Sequence, residues 1–242
     1  MSYELFRTEA GVAVDVGSKQ IQIAHIIGIG RNYADHAAEM GGSVPERPMC
    51  FTKNPASACL DGDAIRIPSI CRDEDTGGPE QVDFEAELAV IIGERCKDVP
   101  VDRAMEVVLG VTCANDVSAR WWQKHGAGGQ FCRGKSFDTF CPMGPVVRTI
   151  EEIDDVQNLA IACRVDGETM QAASTSQMIF SVVRLIAELS TATTLLPGTA
   201  ILTGTPSGVG HGRDPKRYLR AGETVEVDIE GIGVLSNPIE NA

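Results

Sequence analysis

The chain has 242 residues, 43% of them hydrophobic and 23% charged, enough for one large globular domain or two small ones with a sizeable core. Its 34 acidic and 21 basic residues give a formal charge of −13, which repels nucleic-acid phosphates and anionic membranes and favours a small molecule or a metal ion as partner. The 25 glycines and 12 prolines favour many turns over long helices, hence a β-rich fold. The eight cysteines include no C-x-x-C pair and no zinc-type spacing to the four histidines, so they read as free thiols. With no signal-peptide core and no apolar run long enough to span a bilayer, the expected location is cytoplasmic.

Residues 1–24 read as a short β-rich segment with one or two strands and a turn at Gly17-Ser18, followed without a linker by a main domain over 25–242. His25 to Ile29 is a short apolar strand running into GRNYADHAAEMGG. There Ala34 to Met40 suits about two helical turns stopped by Gly41. From Pro45 to Pro79 the chain is rich in Pro, Gly and Asp and reads as a long surface loop, a candidate lid or interface arm. VDFEAELAVIIG, residues 82–93, reads as a strand; Val101 to Leu109 as a short helix stopped by Gly110; and Val111 to Ala114 as a strand feeding Asn115-Asp116. Leu159 to Val165 with Asp166-Gly167 predicts a hairpin, and Met178, Ile179, Val182, Leu185, Ile186 and Leu189 mark one face of a helix. Ala200 to Thr203 predicts a strand entering GTPSGVGHG, and Thr224 to Leu235 alternates as a half-buried strand with an acidic outer face.

Two nucleotide motifs fail on context. Gly129 to Ser136 matches G-x-x-x-x-G-K-[ST], but no apolar strand delivers it, and Pro142 and Gly144 lie too close downstream for the helix that phosphate binding needs. GIGRNY has Tyr33 where a dinucleotide loop needs its third glycine. VDFEAE poses a different question. In a strand, Asp83, Glu85 and Glu87 share a face about 7 Å apart, which suits either a solvated edge or a metal ion, and the spacing alone does not choose. His36 and Glu39, three apart, meet on a helical turn; by itself such a pair reads as a surface contact.

Taken together and in order, GRNYADH, DFEAELAVIIG, NDVSAR, RGKSFDTFCPMGP and TGTPSGVG resemble the fumarylacetoacetate hydrolase family, nearest its short acylpyruvase-like and domain-containing-2-like members. The resemblance runs from about residue 25 to 235. It implies a mixed α/β, predominantly β fold: a roll of sheets with short flanking helices, as a homodimer. It also implies that Glu85, Glu87 and Asp116 hold one Mg²⁺ or Mn²⁺, ions suited to hard oxygen ligands, and it leaves Asp83 to an outer shell or to solvent. His36 with Glu39 takes the place of the family's water-activating dyad, on a segment that closes over substrate. Lys135 and Gln123 take the places of the oxyanion donors, and Gly204 with Thr205 those of a carboxylate-binding turn. Arg31, Tyr33 and Arg120 are pocket residues, with Arg120 also placed to orient Asp116. In one departure, Trp121 stands where the family commonly has an acidic residue. The activity implied is metal-dependent hydrolysis of a carbon–carbon bond in 2,4-diketo acids such as acylpyruvates and fumarylpyruvate. The alternatives are oxaloacetate decarboxylation, isomerisation and decarboxylation of the 2-hydroxyhepta-2,4-diene-1,7-dioate type, and a catalytically silent binding protein.

Overall fold

The computed structural model describes residues 1–72 and 80–242. Among these, the larger sheet runs in spatial order Gln20–Gln22, Gly11–Asp15, Ser2–Thr8, Cys141–Arg148, Val108–Asn115, Ala86–Ile92, Thr199–Leu202, His25–Gly30 and Met49–Lys53, with Ala58–Leu60 beside Cys141–Arg148. A smaller sheet runs Glu168–Ser174, Ala160–Val165, Thr224–Ile229, Gly233–Asn241 and Ile65–Ile67. The fold is thus mixed and mostly β, with three short α-helices among the described residues: Ala34–Glu39 (α1), Phe131–Lys135 (α2) and Val182–Ser190 (α3).

Strand Ala86–Ile92 shows why its sequence is a nearly continuous apolar run: every residue of it is buried. Ala86, Leu88, Val90 and Ile92 pack into the core shared with the smaller sheet, while Ala89 and Ile91 join a second core on the opposite face. A strand covered on both faces needs apolar side chains at both parities. Glu87 has the parity of Ala89 and Ile91, so the pattern that builds the core delivers a carboxylate to a dry site at the strand's beginning.

Several expectations change on the structure. The residues 82–93 do not form one strand: Val82–Asp83 pairs with Ser118–Ala119 as a separate ribbon, and the chain re-enters the sheet only at Ala86. Side chains hold the break, because Asp83 accepts from the Phe84 N–H and Asn115 Oδ1 accepts from the Glu85 N–H at 2.9 and 3.0 Å. Gly110 does not stop a helix. Val101–Val107 is a 3-10 turn, and Gly110 lies inside strand Val108–Asn115, where a Cβ would stand 2.3 Å from the Arg148 carbonyl oxygen. The stretch 45–79 is no continuous loop, since it contributes three strands, Met49–Lys53, Ala58–Leu60 and Ile65–Ile67; its part over 73–79 lies outside the described residues. Helix α3 begins at Val182, and Met178 and Ile179 lie ahead of it, where the Ile179 N–H donates to Asn32 O. The tail folds back as a hairpin of Thr224–Ile229 and Gly233–Asn241. The first residues form three strands rather than one or two, and Ser2–Thr8 pairs with Cys141–Arg148 in the larger sheet. All eight cysteines are free, with Cys50 and Cys132 exposed.

Candidate active site

The carboxylates of Glu85, Glu87 and Asp116 converge at one end of the larger sheet, with one oxygen from each within 4.8 Å of the others. Glu87 lies opposite Ala114 in the pairing with Val108–Asn115, and Asp116 follows directly at the end of that strand. The Asp116 N–H donates to the Glu85 carbonyl at 2.9 Å. Two residues distant in sequence thus meet through one strand pair.

Cations surround these carboxylates. Lys135 Nζ donates to Glu85 Oε2 and to Asp116 Oδ2, both at 2.6 Å. Lys53 Nζ donates to Asp116 Oδ1 at 2.6 Å. Arg120 places Nη1 2.7 Å from Glu85 Oε1 and donates from Nε to Asp83 Oδ2 at 2.8 Å. Burial by itself would raise the pKa of Glu85, but Lys135 and Arg120 outweigh it and hold that carboxyl well below the usual range. Burial would likewise discharge Lys135, but Asp116 and Glu85 raise its pKa instead.

Glu87 differs. It accepts the Gly204 N–H at 2.6 Å and has no cationic partner among the described residues. Burial, then the charges of Asp116 and Glu85, push its pKa well above the usual glutamate value. Four buried carboxylates, Asp83 included, thus face three buried cations, and the surplus negative charge sits at the triad. An all-oxygen donor set one cation short fits a hard divalent ion such as Mg²⁺ or Mn²⁺.

Asp83 does not face solvent. It is fully buried, pairs with Arg120, and accepts the backbone N–H groups of Gly210 and His211 at 2.8 and 2.9 Å. It therefore holds Arg120 against Glu85 and anchors the glycine-rich turn. Arg120 orients Glu85 and Asp83, not Asp116 as expected; Lys53 has that part.

Helix α1 holds the dyad in place. His36 Nδ1 lies 3.2 Å from Glu39 Oε2, and Glu39 Oε1 accepts the Gly208 N–H at 2.9 Å. With Nδ1 protonated toward Glu39, Nε2 is the nitrogen left for the pocket, which His36 lines. Helix α2 and the turn Trp122–Gly126 bring Lys135 and Gln123 together, and Gly134 makes this possible: a Cβ there would stand 2.5 Å from the Gln123 backbone nitrogen. Gln123 Oε1 accepts from Arg120 Nη1 at 3.1 Å, which leaves the amide protons for a ligand. Gly204 has φ +98, a left-handed conformation that suits glycine and turns its N–H onto Glu87.

The pocket above the triad encloses about 550 Å³ of space, including its open mouth. Of the expected residues, Arg31, His36, Glu85, Glu87, Arg120, Gln123, Lys135 and Thr205 line it, while Glu39, Asp116 and Gly204 stand behind them through the bonds above. Thr205 already uses its hydroxyl, donating to Ala86 O at 2.9 Å and accepting from Gln171 Nε2 at 2.8 Å. Tyr33 is set back in the core, and its hydroxyl has no partner. Trp121 stacks edge-on against Trp122, centroids 5.1 Å apart. Lys53 and Gln171 were missed by sequence reasoning; a lone Lys at a strand end and a Gln in a hairpin carry no pattern that separates them from surface residues.

A family model described as fumarylacetoacetate (FAA) hydrolase C-terminal matches residues 25–240. The chain belongs to this family. It is 46% identical over 214 residues to oxaloacetate tautomerase fahd2, mitochondrial, of Xenopus laevis, a match that covers 88% of the chain and 65% of the frog protein; the chain thus spans just under two thirds of that relative. Crystal structures that share its fold include the following two. One is 5-carboxymethyl-2-hydroxymuconate delta-isomerase from Mycobacterium smegmatis, at TM-score 0.81, 35% identity, and coverage of 100% of this chain and 99% of that one. The other is fumarylpyruvate hydrolase from Pseudomonas aeruginosa in complex with Mn²⁺ and pyruvate, at TM-score 0.82, 30% identity, and coverage of 98% and 99%. The larger sheet, the smaller sheet and the few short helices are accordingly the architecture of fumarylacetoacetate hydrolase family members, whose activities include hydrolase, isomerase and tautomerase reactions.

Proposed function

We propose that the chain is a divalent-metal-dependent enzyme that hydrolyses a carbon–carbon bond of 2,4-diketo acids, releasing pyruvate and a carboxylic acid. The observation that carries this reading is the fixed His36–Glu39 pair beside the acidic triad. Glu85, Glu87 and Asp116 would hold Mg²⁺ or Mn²⁺, which when bound supplies a Lewis acid for the keto-acid head and its developing enolate. Glu39, clamped by Gly208, keeps the proton on His36 Nδ1 and stabilises the imidazolium. Nε2 can then take a proton from a water that adds to the C4 carbonyl. The Gln123 amide protons, held toward the pocket by Arg120, are the donors for the oxyanion at C4. When the C3–C4 bond breaks, its electron pair passes to the pyruvate half, and the imidazolium can return its proton to C3. Lys135 spans two of the triad carboxylates, so it sets their geometry and charge in addition to facing the pocket.

A second reading is favoured by the 46% identity to the frog tautomerase: the same imidazole would take a proton from C3 of oxaloacetate and return it to the enol oxygen, with no water added. Acetylpyruvate, fumarylpyruvate and oxaloacetate, each supplied with Mg²⁺ and with Mn²⁺, separate the two. The hydrolase reading expects pyruvate release from a 2,4-diketo acid. Accelerated keto–enol exchange of oxaloacetate with no cleavage of any diketo acid would replace it with the tautomerase.

A further inference from the structure

At the mouth of this pocket two cations lack a carboxylate partner among the described residues. Arg31 and Lys124 both line it, and among the described residues neither forms an ion pair, in contrast to Lys53, Arg120 and Lys135 at the floor. Gln123 and Lys124 are chain neighbours in the turn Trp122–Gly126. The first is buried and reaches the floor; the second is exposed.

Lys124 is held in place by a histidine. Its Nζ lies 2.8 Å from His211 Nε2, and His211 Nδ1 lies 2.7 Å from the Tyr218 hydroxyl. The His211 backbone N–H is tied to Asp83 at 2.9 Å. With Nε2 accepting from the ammonium, Nδ1 carries the ring proton and donates to Tyr218. Burial, then Lys124, Arg120 and Lys216, lower the His211 pKa to about 4, so the imidazole is neutral near pH 7 and props Lys124 without cancelling its charge. Burial also lowers the Lys124 pKa, and Arg120, Lys216 and Arg31 lower it further. On a chain of formal charge −13, like charges are crowded at one rim, and an anion entering there relieves them.

We propose that Lys124, propped by His211 and joined by Arg31, is a specificity-determining residue for substrates with a second carboxylate at the end remote from the keto-acid head. The inference rests on the keto-acid reading of the pocket. It ranks a dicarboxylic 2-oxo acid above its monocarboxylic analogue, because only the former brings charge to the rim while its head occupies the floor.

The probes are 2-oxoglutarate and 2-oxopentanoate, which share a 2-oxo acid head and differ in ending on a carboxylate or a methyl group. Calorimetry on the Mn²⁺-loaded chain gives the ratio of their dissociation constants, a readout independent of turnover. The wild type is expected to bind 2-oxoglutarate about tenfold more tightly, the scale of one hydrogen bond to a charged group. Lys124→Met should bring the ratio to within about twofold of unity, while Lys124→Arg should keep most of it, since a guanidinium offers the same charge. A wild-type ratio near one, a failure to bind either probe, or a ratio unmoved by Lys124→Met overturns the assignment. A chain that keeps the preference yet turns over none of the keto acids above retains this inference and loses the proposed reaction.

Discussion

At the floor of the pocket Glu85, Asp116 and Asp83 each meet a buried cation within 2.8 Å. At the mouth Arg31 and Lys124 have no such partner among the described residues, and the His36–Glu39 pair rides on a helix of six residues. The floor hangs from the ends of paired strands, where a shift of one residue would turn every side chain to the other face. The mouth depends on turns and on single hydrogen bonds such as Glu39 to Gly208. Dense pairing and sheet register make the floor a rigid holder of charge, and sparse pairing leaves the mouth to respond to what enters.

Substitutions on the two sides should therefore differ in kind. The largest effect is expected from Glu85→Gln at the floor: metal binding by calorimetry and turnover should both fall to background. Full activity of this variant would remove the triad from the chemistry. Next is His36→Ala, which should lower kcat for diketo-acid hydrolysis by about 10²–10⁴-fold, the range for a general base, with metal affinity kept. An equal loss of metal affinity would place His36 in the floor.

Glu87 and Glu85 should respond oppositely to pH. The folded Glu87 holds its proton more tightly than the unfolded chain does, so the stability it contributes is present below the unfolded glutamate pKa of about 4.3 and is lost as pH rises through the folded value. Glu85, with its pKa depressed, contributes stability above the unfolded value that is lost as pH falls. In the metal-free chain at neutral pH, Glu87→Gln should thus raise the melting temperature, by about 3 °C for each kcal/mol recovered, since the amide can still accept the Gly204 N–H. The same variant should lose the stabilisation that Mn²⁺ gives the wild type. A lower melting temperature without metal would show that Glu87 has a cationic partner after all. The smallest effect is at the mouth. By NMR the His211 ring should stay neutral until about pH 4, and Lys124→Met should move its titration upward; a midpoint near 6.5 in the wild type would mean that the rim is freely hydrated.

Legibility in the sequence followed the same division. The grouping of Glu85, Glu87 and Asp116 was legible only through the family resemblance of the motifs that carry them, their own spacing being ambiguous, while helix α1 was readable from Ala34 to the Gly41 stop. Asp83 was not, because its spacing matched Glu85 and Glu87 while the chain breaks at Phe84, and only the distant Arg120 and the glycine turn account for its burial. Gly110 misled for a related reason: a glycine needed for close approach to Arg148 looks in sequence like a helix stop. Lys53 and His211 escaped because their partners lie 63 and 87 residues away, and no local periodicity marks such a pairing.

Asn32 carries this non-locality furthest. Its buried amide donates to Phe180 O and Thr203 O, and its carbonyl oxygen accepts the Phe180 N–H, across 148 and 171 residues of chain. Strand Ala86–Ile92 is likewise flanked by Thr199–Leu202, and Glu87 waits for the Gly204 N–H. During synthesis the dyad segment and the acidic residues therefore leave the ribosome long before the turn that completes them. A nascent chain ending ahead of residue 204 would carry all three carboxylates of the triad and still lack the Gly204 N–H that Glu87 accepts, so the site's last contact is one of long sequence separation.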